Sequence, residues 1–554
     1  MTTGPLDARS GPSARTALRV LLIGGDGTEP TFLAWRAALL REGVPFDEHV
    51  SGRDARLTYA VLARGTTEAL YGTVIVAVDG PRRGPSILAV DERAALERME
   101  RQFGIRRVTA FVEPSTAVGL GPPAYAGRLH GVGGVVSPAG RSVFDYLVGE
   151  VPVDPQASGY LAPPLDDTFR TFVEGPAGAA LVGVRTHADG REELVTTVDT
   201  NAGMLHFQLL RQGMLAWATR GVHFGSARDY FSLHIDDVFF LNARWDPEGK
   251  ANRDESVSPI RMAAADALEL VAWQERTGVM VELLFNGAEV ERDADDELNV
   301  ALLARRNSFR WTSHTFDHLL LDGPDPEPLV SSIVENVRFA GRAGIPQDPT
   351  EVVTGEHSGL DNPVLAEALE RAGIRWIGSD ASRERDQRQI GPALTVPRYP
   401  SGVCANVGRR EELLDQDGHL HRASIGWDEF VDREATEIFG HVVGNDPRPH
   451  FFHQSNLAED RLFYPVVDAV LERHRRYFRT PIHVPRMTES GTILRRQARW
   501  AAAVREGLVR GWRIGDTVAV EAEIDLDVPL AFCGEWLPVT PGYPLRIGIP
   551  GLGA

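Results

Sequence analysis

Apolar runs of strand length alternate with segments of helical spacing along most of the chain. From residue 18 to about 150, the strand-like runs Val20–Gly25 and Val74–Val78 flank a segment with helical spacing, Phe32–Glu42. Alternation of this kind predicts a three-layer α/β accessory domain with a mostly parallel sheet.

Later segments show different patterns. Residues 151–225 begin with a Pro-rich stretch and continue as short β segments separated by Gly and Asp turns, which predicts a linker and a β-rich accessory module. From 226 to 490 the strand and helix alternation returns over about 265 residues, a length that suits a (β/α) barrel. Residues 491–554 predict a C-terminal helix and β segment, and residues 1–17 a disordered tail. The fold class is therefore a multidomain α/β protein.

Composition narrows the possible partners. The 554 residues imply several domains, and the formal net charge of −19 argues against nucleic acid or an anionic membrane surface as partner. No run approaches the length of a membrane-spanning helix, and no signal peptide is evident. The sequence thus predicts a cytoplasmic protein, with extracellular action only through another export route. Cys404 and Cys533 are either two thiols or one bridge.

Two short patterns carry the candidate chemistry. The first places Asp236 and Asp237 where a strand-like run gives way to a loop. The second spaces His314 and His318 four positions apart, so one helical turn would bring both imidazoles onto a single face. One carboxylate and two imidazoles suit a divalent metal site with an open position, and the other carboxylate is then free to act as a base. Together the patterns predict a metal-dependent hydrolase.

The Asp pair, combined with the His314-Thr-x-x-His318 pattern, resembles the NodB-homology polysaccharide deacetylases. Two longer segments, 231–238 and 355–360, are more particularly similar to the fungal galactosaminogalactan deacetylase and its bacterial relatives. The resemblance implies that Asp237, His314 and His318 hold the metal, zinc or another divalent ion, and that Asp236 is the base. It also implies an N-acetylated amino-sugar glycan as substrate and an accessory module that binds carbohydrate.

Two further roles follow from the same resemblance. A histidine near the end of the barrel would protonate the departing amine, and His453 is the candidate, with His450 as its competitor. An arginine would orient the base, which points to Arg398 as partner of Asp236. In this chain Arg398 is followed directly by a tyrosine, whereas the family separates the two residues.

Substrate contacts are predicted for three residues near strand ends: Asn286, His357 and Tyr399. Three other functions fit part of the pattern. Two histidines and one carboxylate also bind Fe(II) in oxygenases, although the adjacent Asp pair and the parallel α/β pattern tell against that function. The other two functions are those of a carbohydrate-binding protein that has lost activity and of a hydrolase of the same fold that acts on a small N-acyl substrate.

Overall fold

A computed structural model describes residues 14–78, 86–253, 256–323 and 325–550. The chain divides into two compact units. The accessory unit comprises residues 1–227, 476–480 and 497–554, and the barrel unit comprises residues 228–475 and 481–496.

The described part of the accessory unit contains a nine-stranded mixed sheet. Its strands lie in the order Glu150–Pro152, Gly133–Val136, Phe169–Glu174, Ala180–Thr186, Glu192–Thr196, Arg106–Thr109, Thr73–Val76, Val20–Gly24 and Phe46–Val50. Neighbouring strands are antiparallel from Glu150–Pro152 to Glu192–Thr196, and they are parallel from Glu192–Thr196 to Phe46–Val50. Glu192–Thr196 belongs to both sets, because it pairs in parallel with Arg106–Thr109. Strands from both sides of residue 150 therefore share one sheet, where the sequence predicts an α/β domain and a separate β-rich module.

The accessory unit has a second, smaller sheet. Its described strands follow the order Leu545–Gly548, Thr517–Ala522, Val509–Ile514, Arg15–Ala17, Glu68–Ala69 and Ala63–Arg64. Two separate antiparallel pairs join Tyr125–Arg128 to Ser158–Leu161 and Leu526–Pro529 to Trp536–Val539. The helices of this unit are Pro30–Glu42, Tyr59–Leu62, Val90–Phe103 and Leu205–Thr219. The second sheet unites the two ends of the chain, because Arg15–Ala17 pairs with Val509–Ile514.

The barrel unit alternates strands and helices. Its main strands are β1 (Leu233–Asp236), β2 (Glu282–Phe285), β3 (Arg310–Ser313), β4 (Gln347–Val352), β5 (Trp376–Asp380), β6 (Ala393–Pro400) and β7 (His450–His453). Three two-residue strands also occur: Gln389–Ile390, antiparallel to β6, and the antiparallel pair Trp245–Asp246 and Ala251–Asn252. Its helices are α1 (Ala264–Thr277), α2 (Gly287–Arg292), α3 (Glu297–Ala304), α4 (Pro326–Ala343), α5 (Leu365–Ala372), α6 (Arg410–His421), α7 (Trp427–Val442), α8 (Phe463–Tyr477) and α9 (Met487–Arg505).

The seven described strands β1 to β7 close into a barrel. Each is parallel to its neighbours, and β1 pairs with both β2 and β7. The predicted (β/α) barrel and the multidomain α/β class are confirmed. Apolar side chains of the strands and of helices α4 and α5 form a buried layer, in which Ile333, Leu365 and Ile377 are fully enclosed. Parallel closure brings the carboxyl ends of all the strands to one rim, where barrel enzymes carry their chemistry.

Two simpler predictions can also be compared with the structure. Among the described residues, no helix combines the length and apolar character needed to span a membrane. Cys404 and Cys533 are free thiols, which resolves the alternative between two thiols and one bridge.

Candidate metal centre

The candidate site lies at the carboxyl-terminal rim of the barrel, where three strands deliver its residues. Strand β1 ends at Asp236, β3 ends one residue before His314, and β7 ends at His453. Asp237 follows β1 with a left-handed backbone, at φ +63°. A non-glycine residue in this region is strained and is held there by its surroundings, which is a common feature of functional sites.

The segment from His314 to His318 is a loop and not the helical turn that the spacing suggests. Thr315 and His318 both adopt positive φ, at +64° and +54°, and an α-helix cannot contain such residues. The helical expectation is therefore wrong. The two left-handed residues nevertheless fold the loop so that the imidazole rings of His314 and His318 lie 5.0 Å apart.

Asp237, His314 and His318 converge on one point. Nε2 of His314 lies 3.2 Å and Nε2 of His318 lies 3.3 Å from Oδ1 of Asp237. The ligand atoms of the three residues all lie within 4.8 Å of one another. His314 and Asp237 are buried, with 3% and 6% of their surface exposed.

The donor set fits a divalent cation. Nδ1 of His314 lies 2.9 Å from the carbonyl oxygen of Val353, which can only accept, so this nitrogen carries a proton and the neutral ring presents its lone pair at Nε2. That lone pair faces Oδ1 of Asp237, which is buried and accepts no hydrogen bond from the described residues. A cation between these atoms would satisfy both, and two imidazoles with one carboxylate are usual zinc ligands.

Asp236 lies beside this group in a different environment. Nη1 and Nη2 of Arg398 donate to its two carboxylate oxygens at 2.8 and 2.9 Å. The guanidinium also lies over the ring of Phe451, 4.6 Å from its centroid. Burial alone would raise the pKa of Asp236, but the charge and hydrogen bonds of Arg398 hold it below the ordinary value. Asp236 is therefore ionised and fixed in orientation, and the pairing with Arg398 expected from the sequence is present.

His357 is fixed by the same arginine. Its Nε2 accepts a hydrogen bond from Nη2 of Arg398 at 2.7 Å, which leaves the proton on Nδ1. Burial, and after it the positive charge of Arg398, lowers the pKa of His357 well below its ordinary value. A half-buried, neutral imidazole is thus locked next to Asp236, at the rim where the sequence predicts a substrate contact.

The two candidate acids lie at opposite ends of β7. His453 is directly opposite Asp236 in the register, whereas His450 is opposite Leu233 at the other end of the strand. Nδ1 of His453 is buried and has no partner among the described residues. His450 is enclosed, and its Nε2 lies 3.1 Å from Nδ1 of His441. The position of His453 therefore suits the predicted acid, and that of His450 does not.

Two other predicted substrate residues occupy less accessible positions. Asn286 is fully buried and donates to the carbonyl oxygens of His314 and Thr315 at 2.6 and 3.0 Å, so it braces the loop that carries His314 and His318. Tyr399 stacks on His441 with ring centroids 3.9 Å apart, and its hydroxyl donates to another side chain. A substrate contact by either residue stays a prediction.

Two site residues carry no sequence signal. Asn242 donates from Nδ2 to Oδ2 of Asp237 at 3.0 Å, and Gln454 donates to Asn242 at 2.7 Å. Neither belongs to a recognisable motif. The one available hint is that Gln454 follows His453 at the end of a strand.

A closed parallel barrel with a carboxylate–imidazole triad at its rim defines an α/β-barrel protein with a candidate divalent-metal site. The structure of the carbohydrate deacetylase Agd3 is similar to this chain with a TM-score of 0.78 and 17% identity, covering 97% of this chain and 99% of Agd3. At that identity the likeness establishes the fold, and it confirms the fold implied by the motif resemblance.

Two other solved structures match smaller parts of the chain. A polysaccharide deacetylase structure from Mycobacterium smegmatis, described as putative in its name, has a TM-score of 0.31 and 10% identity, covering 42% of this chain and 78% of its own. A family 4 carbohydrate esterase from Streptomyces lividans, in complex with acetate, has a TM-score of 0.26 and 11% identity. The match covers 46% of this chain and 100% of the esterase chain. No protein-family model and no curated protein matches the chain.

Proposed function

We propose that this protein is a metal-dependent deacetylase that hydrolyses N-acetyl groups of an amino-sugar glycan. The observation that carries the proposal is the triad Asp237, His314 and His318, two of them buried, beside an ionised Asp236 that Arg398 fixes in place. The shared fold with Agd3, which is named as a carbohydrate deacetylase, supports the same class of reaction.

Asp237, His314 and His318 would hold the metal, for which zinc is our proposal. When bound, such an ion lowers the pKa of a water molecule and polarises the acetyl carbonyl. Asp236 would accept the proton of the attacking water. Arg398 occupies one lone-pair direction on each of its carboxylate oxygens, so a second direction on each oxygen is left for that proton.

The departing nitrogen needs a proton, because a neutral amine leaves far more easily than its anion. His453 would supply it, since it lies next to Asp236 across the β1–β7 pairing. The neutral His357 would donate from Nδ1 to a sugar or acetyl oxygen, because Arg398 already occupies its Nε2. The products would be acetate and a free amino sugar.

The test is acetate release from partly N-acetylated galactosamine and glucosamine oligomers, with and without added zinc. Asp236→Asn removes the proposed base, and Asp468→Asn is a matched control, because Asp468 contacts Trp273 in the same unit and lies outside the site. Zinc-dependent release that Asp236→Asn abolishes and Asp468→Asn leaves intact would support the proposal, and the preferred oligomer would identify the sugar.

If protein shown to hold metal releases no acetate from any oligomer, the proposal of a polymeric substrate is overturned. Release from small N-acetylated compounds in the same protein would then identify the alternative, a hydrolase of the same fold with a small N-acyl substrate. The cytoplasmic location stays a prediction.

A further inference from the structure

The carboxylate of Asp237 is anchored by two buried side-chain amides, Asn242 and Gln454, which we call the amide pair. Nδ2 of Asn242 donates to Oδ2 of Asp237 at 3.0 Å, and Nε2 of Gln454 donates to Oδ1 of Asn242 at 2.7 Å. Asn242 is 8% exposed and Gln454 is fully enclosed. These contacts run from the end of β7 to the loop after β1.

Backbone groups fix which way the amide of Gln454 points. Its Oε1 accepts from the N–H of Met262 at 2.7 Å, and its Nε2 donates to the carbonyl of Ile260 at 2.9 Å. A backbone N–H only donates and a carbonyl only accepts, so the flipped amide would lose both bonds. Nε2 of Gln454 must therefore face Oδ1 of Asn242, which in turn directs Nδ2 of Asn242 at Asp237.

The loop that carries Asn242 is fixed as well. The backbone N–H of Asn242 donates to the carbonyl of Ile260 at 3.0 Å, and the N–H of Ile260 donates back at 2.9 Å. Both the side chain and the main chain of Asn242 are thus set by neighbours outside the metal-binding triad.

The consequence for Asp237 is that its two oxygens differ. Oδ2 is engaged by Asn242, whereas Oδ1 faces His314 and His318. We propose that Asn242 and Gln454 are positioning residues that hold Asp237 as a single-oxygen ligand, with Oδ1 directed at the ion. The proposal rests on the proposed metal-dependent function.

Partners of a ligand set its orientation, and their loss typically lowers metal affinity by about 10–100-fold. The test measures Zn²⁺ affinity of the full-length protein by competition with a chromophoric chelator, and the visible spectrum of the Co²⁺-loaded form. We expect Asn242→Ala to weaken Zn²⁺ binding by about 10–100-fold and to alter the Co²⁺ spectrum. Gln454→Glu cannot donate to Asn242, so it should also weaken Zn²⁺ binding and alter the Co²⁺ spectrum.

Asn299→Ala is the matched control. Asn299 is a buried amide of the same unit, 1% exposed, and donates to the carbonyl of Asp293 at 2.9 Å, outside the site. We expect it to leave affinity and spectrum unchanged. The unfolding free energy of the metal-free proteins separates the two roles, because a purely structural amide would change that quantity and leave the affinity of the folded protein intact.

Unchanged affinity and spectrum in folded Asn242→Ala, with metal-binding wild type, would overturn the inference and leave the proposed function standing. If Asn242→Ala does not fold, Asn242→Leu decides, since its side chain is close in shape, removes the donor and adds no charge. A wild-type protein that binds neither ion would overturn the proposed function itself.

Discussion

The guanidinium of Arg398 and the carboxylate of Asp236 form two parallel hydrogen bonds, at 2.8 and 2.9 Å, inside a closed barrel. Arg398 is 0% exposed and Asp236 3%. Each charge has been removed from water, so each depends on the other for compensation. The pair is therefore both a stability element and the proposed means of orienting the base.

Removal of Arg398 alone should strongly destabilise the folded protein. We expect Arg398→Met to lower the free energy of unfolding by about 3–5 kcal/mol, because it leaves the Asp236 carboxylate buried without a partner. Chemical denaturation at neutral pH measures this loss. The double variant Arg398→Met with Asp236→Asn should recover much of it, since no uncompensated charge remains. A loss below about 1 kcal/mol in the single variant, typical of exposed pairs, would contradict the interpretation.

Loss of either imidazole of the triad should abolish stable metal binding. We expect His314→Ala and His318→Ala each to weaken Zn²⁺ binding by more than about 100-fold, beyond the usual effect of losing a ligand's partner. Metal content after dialysis, measured by elemental analysis, tests this expectation. His419→Ala serves as control, because His419 is exposed on helix α6. Full metal retention in both triad variants would show that the ion binds elsewhere.

The choice between the two candidate acids can be made kinetically. We expect His453→Gln to lower kcat by about 10²–10⁴-fold, the usual contribution of a positioned acid, while metal content is retained. His450→Gln should have a much smaller effect on kcat, because His450 lies at the far end of β7. Rates for both variants on the preferred oligomer separate the alternatives, and the reverse order of effects would assign the acid to His450.

Acid should destabilise the barrel through His450. Burial lowers the pKa of this imidazole from an ordinary 6.5 to about 3. Between those values the unfolded chain binds a proton that the folded one does not, so stability is full above pH 6.5 and falls as the pH is lowered. The slope for one such group is about 1.4 kcal/mol per pH unit.

His450→Phe, which cannot be protonated, should therefore show a shallower loss of unfolding free energy between pH 6.5 and 4. Denaturant unfolding at several pH values measures how steeply the free energy of unfolding falls as the pH is lowered. This slope is unaffected by any loss of stability from the substitution that does not depend on pH. Equal slopes in wild type and variant would show that His450 is not the titrating group.

The sequence identifies the three residues of the candidate triad because the patterns that carry them are short stretches of chain. Asp236 and Asp237 lie at the end of β1, and His314 and His318 are close along the chain, so a short motif suffices even though their loop is not the expected helical turn. Arg398 could be expected because the resemblance supplied an arginine partner for the base.

The amide pair could not be found in the same way. Gln454 and Asn242 meet only because β7 closes against β1, and asparagine or glutamine in a loop has no distinctive sequence signal. The continuous sheet of the accessory unit could not be found from the sequence for a similar reason. The parallel pairing of Glu192–Thr196 with Arg106–Thr109 joins segments that look separate by composition.

Closure of the barrel also sets when the site can exist during synthesis. Strand β1, with Asp236 and Asp237, emerges from the ribosome long before β7 brings His453 and Gln454 alongside it. An unfinished chain would thus carry the triad and Asn242 without Gln454 and the proposed acid. Copies of the chain that stop before β7 would therefore lack both the proposed acid and the support that Gln454 gives to Asn242.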